Sequence, residues 1–91
     1  MSMSLERTRL RLLSRPECGL CEDMAADLSR LGILFDTTDI EQDEALERAY
    51  GEAIPVLLNG DEEIARAPQT ERSLREALTR AGLLPMRPQI R

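Results

Sequence analysis

The two cysteines of this sequence stand three positions apart, in the run Cys18-Gly19-Leu20-Cys21. Two cysteines placed at random in a chain of this length fall at this separation about 2% of the time, so the spacing points to a shared purpose. Thiols stay reduced in the cytosol, so such a pair does not serve there as a structural disulfide. The loop between the two cysteines is also too short for a disulfide to add much stability. The pair therefore predicts thiol chemistry.

The composition excludes several other kinds of chemistry. The 91 residues include no histidine, which rules out Ser-His-Asp and Cys-His triads and any histidine-containing metal site supplied by this chain alone. The net charge of −5 argues against nucleic acid and anionic membranes as partners. No apolar run approaches the roughly 20 residues of a membrane span, and the first residues lack the apolar core of a secretory signal. We therefore expect a cytoplasmic protein, and nothing in the sequence demands more than a monomer.

The apolar spacing around the cysteines predicts the elements that position them. Residues 8–13 favour a first strand, since apolar residues alternate at its start and Pro16 follows soon after it. From Cys18 onward the apolar residues recur at helical spacing until Gly32 ends the helix, and residues 33–39 then predict a second strand. Strand, helix and strand in about thirty residues form a βαβ unit, whose strands should be parallel.

The second half of the chain predicts a helix, a hairpin and a final helix. The elements are a helix over 45–53, strands over 54–58 and 62–65 around the turn Asn59-Gly60-Asp61, and a helix from Thr70 to Gly82. Four acidic residues at and before the first of these helices are expected to form a solvated face: Glu41, Asp43, Glu44 and Glu47. We expect one domain over residues 8–82, with flexible ends over 1–7 and 83–91.

Three segments of the sequence together resemble the glutaredoxin and thioredoxin families. They are Arg15-Pro16-Glu17-Cys18-Gly19-Leu20-Cys21 after a strand, Asp39-Ile40-Glu41 at the end of the second strand, and Ile54-Pro55-Val56 at the third. The likeness covers about residues 8–81 and is greatest to small bacterial glutaredoxin-like proteins. It implies an α/β thioredoxin fold with the order β-α-β-α-β-β-α, a mixed four-stranded sheet in the order 4-3-1-2 and helices on both faces. It also implies a thiol–disulfide oxidoreductase that acts in cell redox homeostasis.

The catalytic residues predicted on this basis are Cys18 as nucleophile and Cys21 as resolving thiol. Cys18 stands where the helix begins, so unpaired backbone N–H groups and the positive end of the helix dipole favour its thiolate. Arg15 adds a positive charge nearby, which acidic neighbours such as Glu17 and Glu22 oppose. Cys21 lies one turn into the helix, on its buried side, where it can attack Cys18 in a mixed disulfide.

The predicted substrate-binding residues are Arg15, Leu20, Ile54 and Pro55. Leu20 gives the rim of the site an apolar surface. The matching proline of the family is cis and faces the cysteines, so the resemblance implies a cis Ile54–Pro55 bond beside which an extended substrate pairs with the backbone of Ile54. The expected partners are a disulfide-containing protein or a small thiol compound, and a cellular reductant.

No resident cofactor or metal is expected, and glutathione is expected to bind weakly if it serves as the reductant. True glutaredoxins carry a pair of glycines after the hairpin, where this chain has Ala67-Pro68, and a proline has no N–H to offer a ligand. Arg15 is the residue that remains to meet a glutathione carboxylate.

Two other functions remain open from the residues alone. A thioredoxin-fold module that binds a partner without catalysis would carry the same cysteine spacing. A thiolate metal or iron–sulfur site is the other, and it would need ligands from a second chain or from glutathione, because two cysteines supply only half of a four-ligand set.

Overall fold

The computed structural model describes residues 10–67 and 69–84. Within them the chain forms four strands, three α-helices and a short 3₁₀ helix (Ile40–Gln42). In chain order the other elements are β1 (Leu10–Ser14), α1 (Gly19–Arg30), β2 (Asp36–Asp39), α2 (Glu44–Tyr50), β3 (Val56–Asn59), β4 (Glu62–Arg66) and α3 (Glu71–Arg80). The predicted element order is confirmed.

The four strands form one mixed sheet in the order β2-β1-β3-β4. β1 runs parallel to β2 and antiparallel to β3, and β4 runs antiparallel to β3. This is the predicted thioredoxin-fold sheet. Because β1 is central and parallel to β2, its C-terminal end, the C-terminal end of β2 and the start of β3 meet at one edge of the sheet, and the cysteine loop leaves β1 at that edge.

The two faces of the sheet bury separate apolar clusters, because successive side chains of a strand point to opposite faces. On one face Leu10 and Leu12 of β1 pack with buried residues of α1 and α3, including Leu28 and Leu74. On the other face Leu13 packs in a smaller cluster, against which side chains from α2 and the segment after it lie half-buried. Helical elements therefore cover both faces, as predicted.

The prediction that the second strand begins at residue 33 is wrong, because β2 begins at Asp36. Gly32 adopts a left-handed conformation with φ of 78°. The next N–H, from Ile33, then donates to the carbonyl of Leu28 at 3.0 Å, which closes the end of α1. The half-buried side chains of Ile33 and Phe35 pack against the larger cluster. Their apolar character therefore belongs to the helix cap rather than to a strand.

The predicted helix over 45–53 is also too long, since α2 ends at Tyr50. The N–H of Ala53 donates to the carbonyl of Tyr50 at 2.8 Å in a turn that leads to β3. At the other end of the domain, Leu83 and Leu84 pack against the larger cluster, so the packed domain extends past residue 82. Residues 1–7 and 85–91 of the predicted flexible ends lie outside the described residues. None of the helices formed by residues 10–67 and 69–84 has the length and apolarity that a membrane crossing requires.

Candidate active site

The cysteine pair lies where α1 begins, directly after the loop that leaves β1. Cys18 is the N-cap of α1, with extended backbone angles of φ −107° and ψ 104°. Its Sγ accepts a hydrogen bond from the N–H of Cys21 at 3.1 Å. The two side chains are joined in a disulfide whose Cα atoms are 5.2 Å apart. The sulfur of Cys18 thus satisfies a helix donor in the way that an oxygen does at an ordinary N-cap.

The two cysteines differ in their exposure to solvent. Cys21 is 4% exposed and lies on the buried side of α1 with Met24 and Leu28. Cys18 is half-buried, and the side chain of Leu20 between the two cysteines is 56% exposed. A reactant from solvent therefore reaches Cys18 before Cys21, and it meets an apolar side chain beside them.

The turn that leads into Cys18 contains a strained residue. Glu17 is exposed and has a φ of 61°, in the left-handed region that favours glycine. Such a conformation costs a non-glycine residue roughly 1–2 kcal/mol. No feature of the sequence predicted this, since the position holds glutamate. The strain lies next to Cys18, in the turn that directs the chain into α1.

The Ile54–Pro55 peptide bond is cis, as the resemblance implies. Pro55 is buried and directly precedes Val56, which pairs with Leu13 of β1. The bond therefore lies at the same edge of the sheet as the cysteine loop. The carbonyl of Pro55 accepts from the N–H of Ala67 at 3.0 Å, and Ile54 packs half-buried against the smaller cluster.

Arg15 lies in the loop before the cysteines and makes three polar contacts with residues much later in the chain. Its Nη2 donates to Glu47 Oε2 and to the carbonyl of Gly51, both at 3.1 Å. Its Nη1 lies 3.4 Å from Glu41 Oε2. Both glutamates are predicted to lie on a solvated face, and the structure shows that each also forms an ion pair with Arg15. Arg15 therefore ties the cysteine loop to α2 and to the 3₁₀ helix before it.

Two neighbouring cavities share Arg15. A cavity of about 130 Å³ contains both cysteines; its lining residues are Leu12, Ser14, Arg15, Cys18, Cys21, Glu22, Ala25 and Thr37. A second, of about 440 Å³, is lined by Arg15, Glu41, Gln42, Glu44 and Glu47. Of the predicted site residues, Arg15, Cys18 and Cys21 thus come together, whereas Leu20, Ile54 and Pro55 do not line this cavity. Sequence reasoning missed Thr37, which becomes a neighbour only through the parallel pairing of β2 with β1.

The described residues offer no metal site built from side chains. Within residues 10–67 and 69–84, no three or more cysteine, aspartate or glutamate residues are grouped so that they could hold a metal ion.

Comparisons with known proteins agree with this geometry. The model of the Glutaredoxin-like domain (DUF836) family matches residues 9–79. The structure of protein XcR50 from X. campestris is similar, with 32% sequence identity and a TM-score of 0.72 over 78% of this chain and 96% of that chain. Protein Ne2328 from Nitrosomonas europaea is 29% identical, with a TM-score of 0.62 over 79% of this chain and 92% of that one. No curated protein matches the sequence.

A more distant structure shares the fold. The glutaredoxin of Archaeoglobus fulgidus is 19% identical, with a TM-score of 0.58 over 85% of this chain and 96% of that chain. At this identity the likeness concerns the fold alone. The glutaredoxin-like fold, together with the Cys18–Cys21 pair at the start of α1, supports a role of the thiol oxidoreductase type.

Proposed function

Because this chain belongs to the glutaredoxin-like domain family, we propose that it is a thiol–disulfide oxidoreductase with Cys18 as nucleophile and Cys21 as resolving thiol. One observation carries the proposal. The two sulfurs are bonded at the start of α1, with Cys18 half-buried at the N-cap and Cys21 only 4% exposed behind it. This arrangement suits one thiol that meets the substrate and one that only its partner reaches.

In the first step the thiolate of Cys18 attacks one sulfur of a substrate disulfide. A bond forms between Cys18 Sγ and that sulfur, the substrate S–S bond breaks, and the other sulfur leaves as a thiolate that takes a proton from water. The N–H of Cys21, 3.1 Å from Cys18 Sγ, supports the attacking anion. Anions gain from such unpaired donors at a helix start, which favours the thiolate of Cys18.

In the second step the thiol of Cys21 gives its proton to water, and the resulting thiolate attacks Cys18 Sγ in the mixed disulfide. The Cys18–Cys21 bond forms, and the substrate sulfur leaves as a thiolate. Two electrons have then passed from the protein dithiol to the substrate. Two electrons from a cellular thiol reductant restore the dithiol by the same exchange in reverse.

We propose that the surroundings of the pair receive a disulfide-containing protein or a small thiol compound. Leu20, which stands between the two cysteines in the sequence, supplies exposed apolar surface. Ile54 and Pro55 lie at the same edge of the sheet, and we expect an extended substrate to pair with the backbone of Ile54 there. Such pairing orients a peptide without selecting its side chains.

We further propose that glutathione binds weakly. A carboxylate of glutathione needs unoccupied cationic donors, and the guanidinium of Arg15 already donates to Glu47, Gly51 and Glu41. Loss of one charge-assisted anchor typically costs about 1.5–3 kcal/mol, or roughly ten- to a hundred-fold in affinity. Pro68, the other residue on which this expectation rests, lies outside the described residues.

A redox titration of the pair tests the proposed function. The protein is equilibrated in glutathione buffers of graded ratio, free thiols are alkylated, and the mass of the product gives the oxidised fraction. A reduction potential within about −120 to −270 mV, the span from strong oxidants to thioredoxin, supports exchange. A pair that never oxidises refutes it.

Turnover of bis(2-hydroxyethyl) disulfide with an added reductant separates catalysis from partner binding. We expect repeated turnover by the wild type and none by Cys18→Ser. Cys21→Ser is expected to accumulate a mixed disulfide at Cys18, because the resolving thiol is gone, or to keep only the single-thiol activity in which glutathione releases it. A protein that oxidises and reduces stoichiometrically but never turns over is a binding module rather than an enzyme.

A further inference from the structure

We propose that Glu41 and Glu47, by engaging the guanidinium of Arg15, give the dithiol site a charge preference: Cys18 exchanges faster with cationic disulfides than with anionic ones. The inference deepens the proposed function and rests on it, because it names the class of substrate that the same site favours. Glu41 and Glu47 are then specificity-determining residues that act through Arg15.

Three of the five N–H donors of Arg15 are occupied, and they include donors on both terminal nitrogens. Nη2 donates twice, to Glu47 Oε2 and to the Gly51 carbonyl, each at 3.1 Å, and Nη1 faces Glu41 Oε2 at 3.4 Å. The side chain is only 30% exposed, so it is enclosed by these partners. A guanidinium binds a carboxylate best through two parallel N–H donors, and both terminal nitrogens are already committed.

Arg15 borders both the cysteine cavity and the cavity of the two glutamates. Arg15 lines the cavity that contains Cys18, and it also lines the neighbouring cavity together with Glu41 and Glu47. One positive charge therefore stands against two negative charges. The group that would otherwise attract an anion to Cys18 becomes part of a cluster whose formal charge is negative.

The other charged residue that lines the cysteine cavity is acidic, and so are charged residues close to Cys18 in the chain. Glu22 lines the cysteine cavity, and Glu17 directly precedes Cys18 and is exposed. Asp23, in the first turns of α1, is exposed as well. Clefts lined by one sign of charge raise the local concentration of ligands of the opposite sign, with an effect that salt reduces. A cationic disulfide therefore meets an attractive field at Cys18, and an anionic disulfide such as that of glutathione meets a repulsive one.

Methanethiosulfonate reagents of opposite charge test this preference in a single chemical step. The thiolate of Cys18 attacks the sulfenyl sulfur, a mixed disulfide forms and methanesulfinate leaves. In a Cys21→Ser background this product persists, and quenched mass spectrometry gives its rate of formation. The measured quantity is the rate with the ethylammonium reagent divided by the rate with the ethylsulfonate reagent. This ratio is normalised to the same ratio for 2-mercaptoethanol.

We expect a normalised ratio above one in the parent protein at low salt. In E41Q/E47Q the ratio should fall by about three- to tenfold, and the difference should shrink when the salt is raised to about 0.5 M. Glu41→Gln alone leaves both 3.1 Å bonds of Arg15 in place and should give an intermediate ratio, which also serves if the double variant folds poorly. Arg15→Gln should move the ratio upward, since it leaves both glutamates uncompensated.

The matched control is E44Q/E62Q, which changes the net charge equally. Glu44 lines the same cavity as Glu47 but makes no ion pair with Arg15 among the described residues, and Glu62 is exposed in β4. We expect it to change the ratio by about twofold or less. An unchanged ratio in E41Q/E47Q, or an equal fall in the control, overturns the inference. Since the assay needs no turnover, failure to reduce bis(2-hydroxyethyl) disulfide refutes only the proposed function.

Discussion

The two helices that flank the cysteine loop are held to the sheet in different ways. α1 buries three side chains, those of Cys21, Met24 and Leu28, and the last two belong to the larger apolar cluster. No residue of α2 is buried; its Leu46 and Tyr50 lie half-buried against the smaller cluster. The polar contacts of Arg15 add to that modest packing. The helix that carries the cysteines is thus fixed by apolar burial, whereas the helix beside it depends partly on one arginine.

The starts of the same two helices differ as well. Asp43 caps α2, and its Oδ1 accepts from the N–H groups of Ala45 at 3.0 Å and Leu46 at 3.1 Å. At α1 the capping atom is a sulfur, which accepts from Cys21 alone. Aspartate is among the best N-cap residues, and cysteine is not. The difference teaches that the start of α1 serves chemistry at some cost in stability, while the start of α2 serves stability.

The largest expected effect comes from truncating a core side chain on α1. Leu28→Ala removes a fully buried side chain and should lower the free energy of unfolding by about 3 kcal/mol, whereas Leu46→Ala on half-buried α2 should cost about 1 kcal/mol. Urea unfolding of both variants, with the disulfide intact, measures the difference. Equal losses would show that α2 packs as tightly as α1 and would break the comparison.

The next effect concerns the arginine that supports α2. Arg15→Met keeps the apolar stem and removes the donors to Glu47 and Gly51, so we expect a loss of about 1 kcal/mol, reduced by the partial exposure of the group. Hydrogen exchange should show faster opening of α2 with little change in α1. Arg72→Met, which removes an exposed guanidinium 4.0 Å from Glu76, is the control and should alter neither helix measurably. A uniform acceleration over both helices would mean that Arg15 supports the whole domain.

Removal of the N-cap of α2 is expected to lower the free energy of unfolding by a similar amount. Asp43→Ala deprives two helix N–H groups of their acceptor and should cost about 1 kcal/mol, while Asp43→Ser should recover most of it. Thermal unfolding of the pair measures both. If the alanine variant matches the wild type, water satisfies these exposed donors well enough and the cap adds nothing.

The sequence predicts the framework of the fold because that framework depends on local patterns. Three local features can be predicted from a few neighbouring residues each, and the structure contains all of them. They are the apolar period of α1, the turn at Asn59-Gly60-Asp61 and the helix cap at Thr70. The cis bond before Pro55 followed from the resemblance alone. The prediction of a strand over residues 33–35 is wrong because the apolar residues Ile33 and Phe35 pack against the larger cluster after α1, and such residues look like a strand when their partners are unknown.

The surroundings of the site were less predictable, because they depend on contacts between distant residues. Arg15 and its partner Glu47 stand 32 positions apart. Four acidic residues occur between positions 41 and 47, and nothing in their spacing distinguishes the two that pair with Arg15 from Asp43, which caps α2, and Glu44. The choice follows from where the sheet places the start of the cysteine loop relative to α2.

The smallest expected effect comes from the ion pair of Arg66 with Glu63, in which the arginine is more exposed than Arg15. In β4 the exposed Arg66 donates to both carboxylate oxygens of Glu63, at 2.5 Å and 2.7 Å. These hydrogen bonds lower the pKa of Glu63 below its ordinary value of 4.5, against a smaller opposing effect of desolvation. A lowered pKa in the folded state contributes stability above the ordinary value, and that contribution is lost as the pH falls through the folded pKa.

The free energy of unfolding of the wild type should therefore exceed that of Glu63→Gln slightly at neutral pH. The difference should vanish in acid, well below pH 4.5, where the carboxyl is protonated in both the folded and the unfolded chain. Urea unfolding from pH 7 to pH 3 measures it, and added salt should reduce it because the pair is exposed. The opposing result is a loss of unfolding free energy in Glu63→Gln at neutral pH as large as that in Arg15→Met. It would show that an exposed ion pair stabilises this fold as well as the partly buried contacts of Arg15 do.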